Sequence, residues 1–312
     1  MPQEDDYVLG RGIVQSVRSV YSCQSLPISN AGASVKKSNK TRLDAQHLLW
    51  KLHRGYELHP LIPIKDDMKI AELGTGTAVW IFDLARQLPP TVQLQGFDIS
   101  NRQFPVRDTW PQNVTLGTLD SLVDPPASLC GQFDVVHLRM WASNLRQHDT
   151  SALIGHPGGY LQWEDADLVN QHIQGQDAER FEQQLNEVFR KVGLDYRYVF
   201  NNLISIGFGL LKLFFRQSWV PDLPNCLRME KFDVLEAEKS RFRPELAQLC
   251  TNTYLMALLE ILQGIKRILA HDSLLSIVEQ ELALHRLSSN NTEVIYNWSP
   301  LAILAQYHKD DL

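Results

Sequence analysis

Cysteine is scarce in this chain, with four among 312 residues, at Cys23, Cys130, Cys226 and Cys250, and no CxxC pair. That spacing excludes a zinc ribbon and a dense disulfide framework, and the default expectation is a reduced, cytoplasmic setting. Positive charge is not in excess either. Lys and Arg number 30 against 36 Asp and Glu, a formal charge of -6, so no global field draws in a phosphate backbone and nucleic acid is not an expected partner. Long hydrophobic runs are missing too: Ile204 to Phe215 is the longest candidate, holds Lys212, and falls short of the roughly 18 residues of a membrane span. The start, Met1 to Asp6, is acidic where a signal peptide is basic. No internal repeat is evident, and no His or carboxylate pattern forms a convincing metal site.

What remains is ordinary globular composition, 44% hydrophobic and 21% charged, in a chain long enough for one large domain or a core with a cap. Ile13 to Lys40, rich in Ser, Asn, Gly and Lys without an apolar period, reads as a loop or disordered insert. Leu43, His47 and Trp50 at helical spacing predict a short helix before the Pro60 and Pro63 linker. Strands are predicted at Lys69 to Leu73, Gln93 to Asp98, Val114 to Thr118, Phe133 to Leu138 and Tyr160 to Trp163, and a terminal one over Glu293 to Ala305. Ala78, Ile81, Phe82, Ala85 and Leu88 predict a helix after the first strand, stopped by Pro89-Pro90. Phe181 to Val192, closed by Gly193, is an amphipathic helix. Pro244 to Leu269 and Ser273 to Leu287 predict two more. Apolar strands alternating with helices make the expected fold α/β, a doubly wound, mostly parallel sheet. Residues 1–67 are expected to form an amino-terminal helical cap holding the insert 13–40, and 68–312 the main domain with a helical lid at about 235–290.

Between the first strand and the helix lies Gly74-Thr75-Gly76-Thr77. A Gly-x-Gly turn there lets backbone approach a ligand closely. Counting from Gly74, the third glycine of a dinucleotide fingerprint would fall at Val79, whose branched side chain argues against NAD. Asp98, ending the second strand, suits ribose hydroxyls, a requirement shared by NAD and S-adenosylmethionine. Glu72 discriminates better, because a carboxylate beside the turn tolerates an ammonium and repels a pyrophosphate.

AELGTGTAVWIFDLA, GFDIS, NVTLGTLD, FDVVHLR and PGGYLQWED, in that order, resemble the successive motifs of class I S-adenosylmethionine-dependent methyltransferases. DYVLGRG at Asp6 to Gly12, QHLLWKLHRGYELHPLIP at Gln46 to Pro63, and HLR with GGYLQWED resemble, more narrowly, the fungal secondary-metabolism methyltransferases of the LaeA-like family, from Tyr7 to about Asp167. The resemblance implies a Rossmann-like domain binding S-adenosylmethionine, with Glu72, Gly74, Thr75 and Gly76 beside its methionine half and Asp98 with Ile99 at the ribose. It implies Leu119 and Asp120 at the adenine, and His137 and Leu138 where cofactor and acceptor meet. The implied activity is methylation of oxygen, nitrogen or sulfur on a small-molecule secondary metabolite, of the mycotoxin type. His137 is the candidate general base for such a transfer, and Trp50 and Trp141 are candidates for the acceptor pocket. The alternative is a non-methylating scaffold or regulatory protein on the same fold, since fold does not fix function. Expected partners are a metabolite and either a second copy of the chain or a regulatory protein.

Two stretches depart from the family pattern. Ile13 to Lys40 intervenes where family members pass almost directly from GRG to the segment near Thr41, as an insert or gene-model error would make it. Arg139 to Gly159 leaves room for only a short crossover helix, near Thr150 to Ile154, which would weaken the floor of the site. Asp165 and Asp167, after the fifth strand, are expected in a solvated loop.

Overall fold

Short runs with alternate or continuous apolar positions become the strands β1 (Lys69–Leu73), β2 (Gln93–Asp98), β3 (Val114–Thr118), β4 (Val135–Arg139), β5 (Tyr160–Gln174), β6 (Phe232–Lys239) and β7 (Ile295–Tyr307). The computed structural model describes residues 31–141, 159–191, 220–266, 274–289 and 294–307. The strands form a seven-stranded sheet in the order β3-β2-β1-β4-β5-β7-β6. Neighbours among β1 to β5 pair in parallel, whereas β6 and β7 pair antiparallel. The chain leaves β1 towards β2 and β3 and returns on its other side as β4, so the order reverses at β1, where open α/β sheets bind ligands at their carboxyl ends. The α/β, mostly parallel architecture expected from the sequence is the one observed.

The chain divides into two compact units. The first holds the sheet's core and comprises the described residues of Lys51–Gln171, Asp195–Arg243 and Trp298–Leu312. On one face of the sheet, Ile70, Leu94 and Val135 pack with Trp80, Ile81 and Leu84 of helix α2 (Val79–Ala85). On the other, Leu138, Leu161, Trp163 and Ile303 pack with Leu223 and Leu227 of helix α4 (Leu223–Met229). The second unit comprises the described residues of Met1–Trp50, His172–Leu194 and Pro244–Asn297. It contains most of α1 (Ala31–Arg54) and the helices α3 (Gln176–Lys191), α5 (Ala247–Lys266) and α6 (Leu274–Ser289). Inside it the buried Glu182 carboxylate accepts a hydrogen bond from the Tyr254 hydroxyl at 3.1 Å, and the Tyr296 hydroxyl donates to the Ala178 carbonyl at 3.0 Å.

Three expectations change. Residues Ala31 to Lys40, read as loop, are helical backbone of α1; the rest of the insert lies outside the described residues, as does the Thr150 to Ile154 crossover helix. Residues 235–239, assigned to the helical lid, belong to β6, whose outward Glu236 and Glu238 hide its alternation. Asp165 and Asp167 lie inside β5, 1% and 0% exposed, because that strand runs on past Trp163. Among the described residues no helix is long and apolar enough to cross a membrane.

Candidate active site

The turn after β1 is closed by its own backbone. The Gly74 and Thr75 N–H groups both donate to the Phe97 carbonyl, at 2.8 and 2.9 Å, which ties the turn to the end of β2. The Gly76 N–H donates to Asp98 Oδ2 at 2.9 Å, and the Ser100 N–H to Oδ1 at 3.2 Å. Burial raises the Asp98 pKa, and the Gly76, Ser100 and Ile99 backbone N–H groups partly offset it. Gly74 sits at φ +74°, and a Cβ there would meet the Trp141 indole at 3.1 Å, so both conformation and close approach require glycine. Trp141, expected in the acceptor pocket, is 7% exposed and donates its indole N–H to the Leu73 carbonyl at 3.0 Å, supporting the turn from beneath.

The other residues expected at the cofactor gather on the same side. Ile99 follows Asp98 and is exposed. The Leu119 N–H donates to the Asp98 carbonyl at 2.8 Å, and Asp120 Oδ1 accepts from the Leu122 N–H at 3.1 Å. Leu119 also lines a small apolar cavity of about 30 Å³ with Ala71, Leu73, Phe97 and Val136. Thus Glu72, the turn, Asp98, Ile99, Leu119 and Asp120 converge on the carboxyl ends of β1, β2 and β3. Leu138 is fully buried in the apolar core, and Trp50, in the helical unit, is fully buried as well.

His137 is 0% exposed. Its ring stacks on Trp80 at 3.7 Å between centroids and 8° between planes. Nδ1 lies 3.8 Å from Glu72 Oε1, and Nε2 lies 3.4 Å from Glu164 Oε2. Arg139 donates to Glu164 Oε2 through Nε at 2.6 Å, with Nη2 at 2.5 Å, and reaches Glu57 at 4.0 Å. The Gln162 side chain donates to the Glu57 carbonyl at 2.8 Å and accepts from the His59 N–H at 2.9 Å. Burial pushes the Glu72 carboxyl up to about 8, against the Thr75 hydroxyl donating to it and Arg139. Burial likewise pushes Glu57 up to about 7. Glu164 is equally buried, yet Arg139 and His137 pull it down to about 2.

Arg139, Gln162, Glu164 and Glu57 were not among the residues singled out from the sequence. For Arg139, Gln162 and Glu164 the signal is the polar residue at every second place of an otherwise apolar strand, in His137-x-Arg139 and Gln162-x-Glu164, whereas Glu57 lies after α1 on no strand. Asp165 serves the local fold: its Oδ2 accepts from the Trp141 N–H at 2.9 Å and the Trp163 indole at 3.0 Å. Asp167 pairs with Lys239 at 2.5 Å.

No family model matches the chain. It is 33% identical over 152 residues to the N-methyltransferase tcpN of Claviceps purpurea (strain 20.1), covering 46% of this chain and 54% of that protein. It is 30% identical over 166 residues to the methyltransferase grgD of a Penicillium species, covering 49% and 57%. The chain thus spans about half the length of these curated relatives. Among solved structures, a cyclopropane-fatty-acyl-phospholipid synthase-like protein from Lactobacillus casei overlaps 94% of this chain and 99% of its own at 11% identity, with a TM-score of 0.49. The fold assignment rests on the strand order and not on that overlap.

Proposed function

We propose that the chain is an S-adenosylmethionine-dependent methyltransferase acting on a small-molecule secondary metabolite, with nitrogen as the favoured acceptor atom. The observation that carries this is the pair of carboxyls, Glu72 and Asp98, on either side of one glycine turn at the sheet's reversal point. Similarity to methyltransferases, including the N-methyltransferase tcpN, supports both the reaction and the choice of nitrogen. The residues present fit the cofactor. Gly74 holds the left-handed turn against the Trp141 indole, Glu72 suits an ammonium where a pyrophosphate would be repelled, and Val79 replaces a dinucleotide fold's third glycine.

When bound, the cofactor supplies an electrophilic methyl group on a sulfonium, open to in-line displacement. In this reading Glu72 orients the ammonium of the methionine end and Asp98 accepts from the ribose hydroxyls. Ile99 lies beside Asp98 at the ribose, Leu119 flanks the adenine, and Asp120 accepts from its exocyclic amine. The chain's main work is orientation, worth several kcal/mol when a nucleophile is held at about 3 Å in line. An amine acceptor that arrives unprotonated needs no base from the protein.

The test is incubation of the purified chain with S-adenosylmethionine and metabolite extract from a strain lacking it, with mass spectrometry for a product heavier by one methyl group. Asp98→Ala should abolish that product and weaken S-adenosylhomocysteine binding at least tenfold, the order of losing hydrogen bonds to a charged acceptor. Turnover unchanged in Asp98→Ala would remove the cofactor assignment.

A further inference from the structure

Across the middle of the sheet one face carries a continuous polar row. Register places Gly96, Glu72, His137 and Gln162 side by side on β2, β1, β4 and β5, with Arg139 and Glu164 paired one step further along. Nearer the amino ends the same face carries Ile70, Leu94 and Val135, the apolar core. Buried charge is costly, and apolar residues of similar volume often replace such networks without loss. A purely structural sheet has no need of this row.

The row converges on Glu72. The Thr75 hydroxyl donates to its Oε2 at 2.5 Å, while His137 Nδ1 faces Oε1 at 3.8 Å. Thr75 has room because residue 96 is glycine, where a Cβ would come within 2.9 Å of Thr75 Oγ1. His137 is itself held, by Trp80 against its ring face and Glu164 at its other nitrogen, and Glu164 is held by Arg139. A fully buried imidazole clamped between two carboxylates is set to orient them, not to approach an acceptor in line with a methyl group.

We infer that His137, Arg139 and Glu164 are positioning residues that act through Glu72, fixing the carboxylate that receives the ammonium of the cofactor's methionine end. This rests on the cofactor reading above. Arg139 and Gln162 extend the same network to Glu57 and His59, so the segment after α1 is tied into it.

The test compares two ligands by calorimetric titration. S-adenosylhomocysteine has the amino-acid end, and 5′-methylthioadenosine lacks it while keeping adenine, ribose and sulfur. His137→Gln and Arg139→Lys should each lose about tenfold in S-adenosylhomocysteine affinity, the order of one hydrogen bond to a charged group, and bind methylthioadenosine as the native chain does. Equal losses for both ligands, or unchanged S-adenosylhomocysteine binding, would overturn the positioning role; if His137→Gln does not fold, Arg139→Lys decides. A native chain that binds neither ligand refutes the cofactor reading, and a native chain that binds both with no selective loss refutes only the inference.

Discussion

At the scale of single residues, Glu72 concentrates the chemistry. Burial holds its carboxyl at about 8, with Thr75, His137, Asp98, Glu57 and Arg139 as the surrounding polar groups. A carboxyl that must be charged to receive an ammonium binds more tightly as pH rises. S-adenosylhomocysteine affinity should therefore climb towards about pH 8 and level off above it. Glu72→Gln should weaken binding and flatten that profile, and titration calorimetry across the range checks both. Removing Arg139 has another consequence, since it leaves Glu164 buried beside His137 without its guanidinium. Arg139→Met should cost about 3–5 kcal/mol in urea denaturation. Glu72 and Asp98 were legible in the sequence because a turn flanked by acids is a local requirement. The partnership of His137 with Glu164 was not, because their contact exists only through the register of β4 on β5.

At the scale of elements, β1 to β4 could be read because each is a short apolar run ending where helix or turn residues begin, and β5 only at its start, because its acids after Trp163 look like a loop. β6 could not. Its partner is β7, some sixty positions on in the sequence, and an edge strand needs one apolar side only, so Phe232, Val234 and Ala237 among acids look like a surface helix. The first ten residues of α1 escaped for a related reason, as AGASVKKSNK has no apolar stripe to announce a helix. The pairing of β1 with β2 makes its own prediction. A Cβ at Gly96 would lie 2.7 Å from Leu116 Cδ2 as well as crowding Thr75. Gly96→Ala should cost about 1–3 kcal/mol by overpacking and lower S-adenosylhomocysteine affinity along with it, read by thermal melts with and without that ligand.

At the scale of the whole molecule, the buried carboxyls act on stability in opposite directions. Glu72 and Glu57, at about 8 and 7, hold protons that the unfolded chain releases near 4.5. Their contribution is fully present below about pH 4.5 and lost as pH rises through 7 to 8. Glu164, at about 2, contributes above about pH 4.5 and loses that contribution as pH falls towards 2. The melting temperature should peak on the acid side of neutrality. Scanning calorimetry on native chain and Glu72→Gln should show the alkaline limb shallower in the variant.

The polar row also sets what kind of change this chain can absorb over generations. Side chains alternate faces along a strand, so inserting or deleting one residue within Lys69–Leu73 or Val135–Arg139 would turn Glu72 or His137 to the opposite face. Substitution can be tried one position at a time, but a slip in length moves a whole strand's cargo at once. Lineages descending from this sequence are expected to vary in length in the connections and to keep these strands in step.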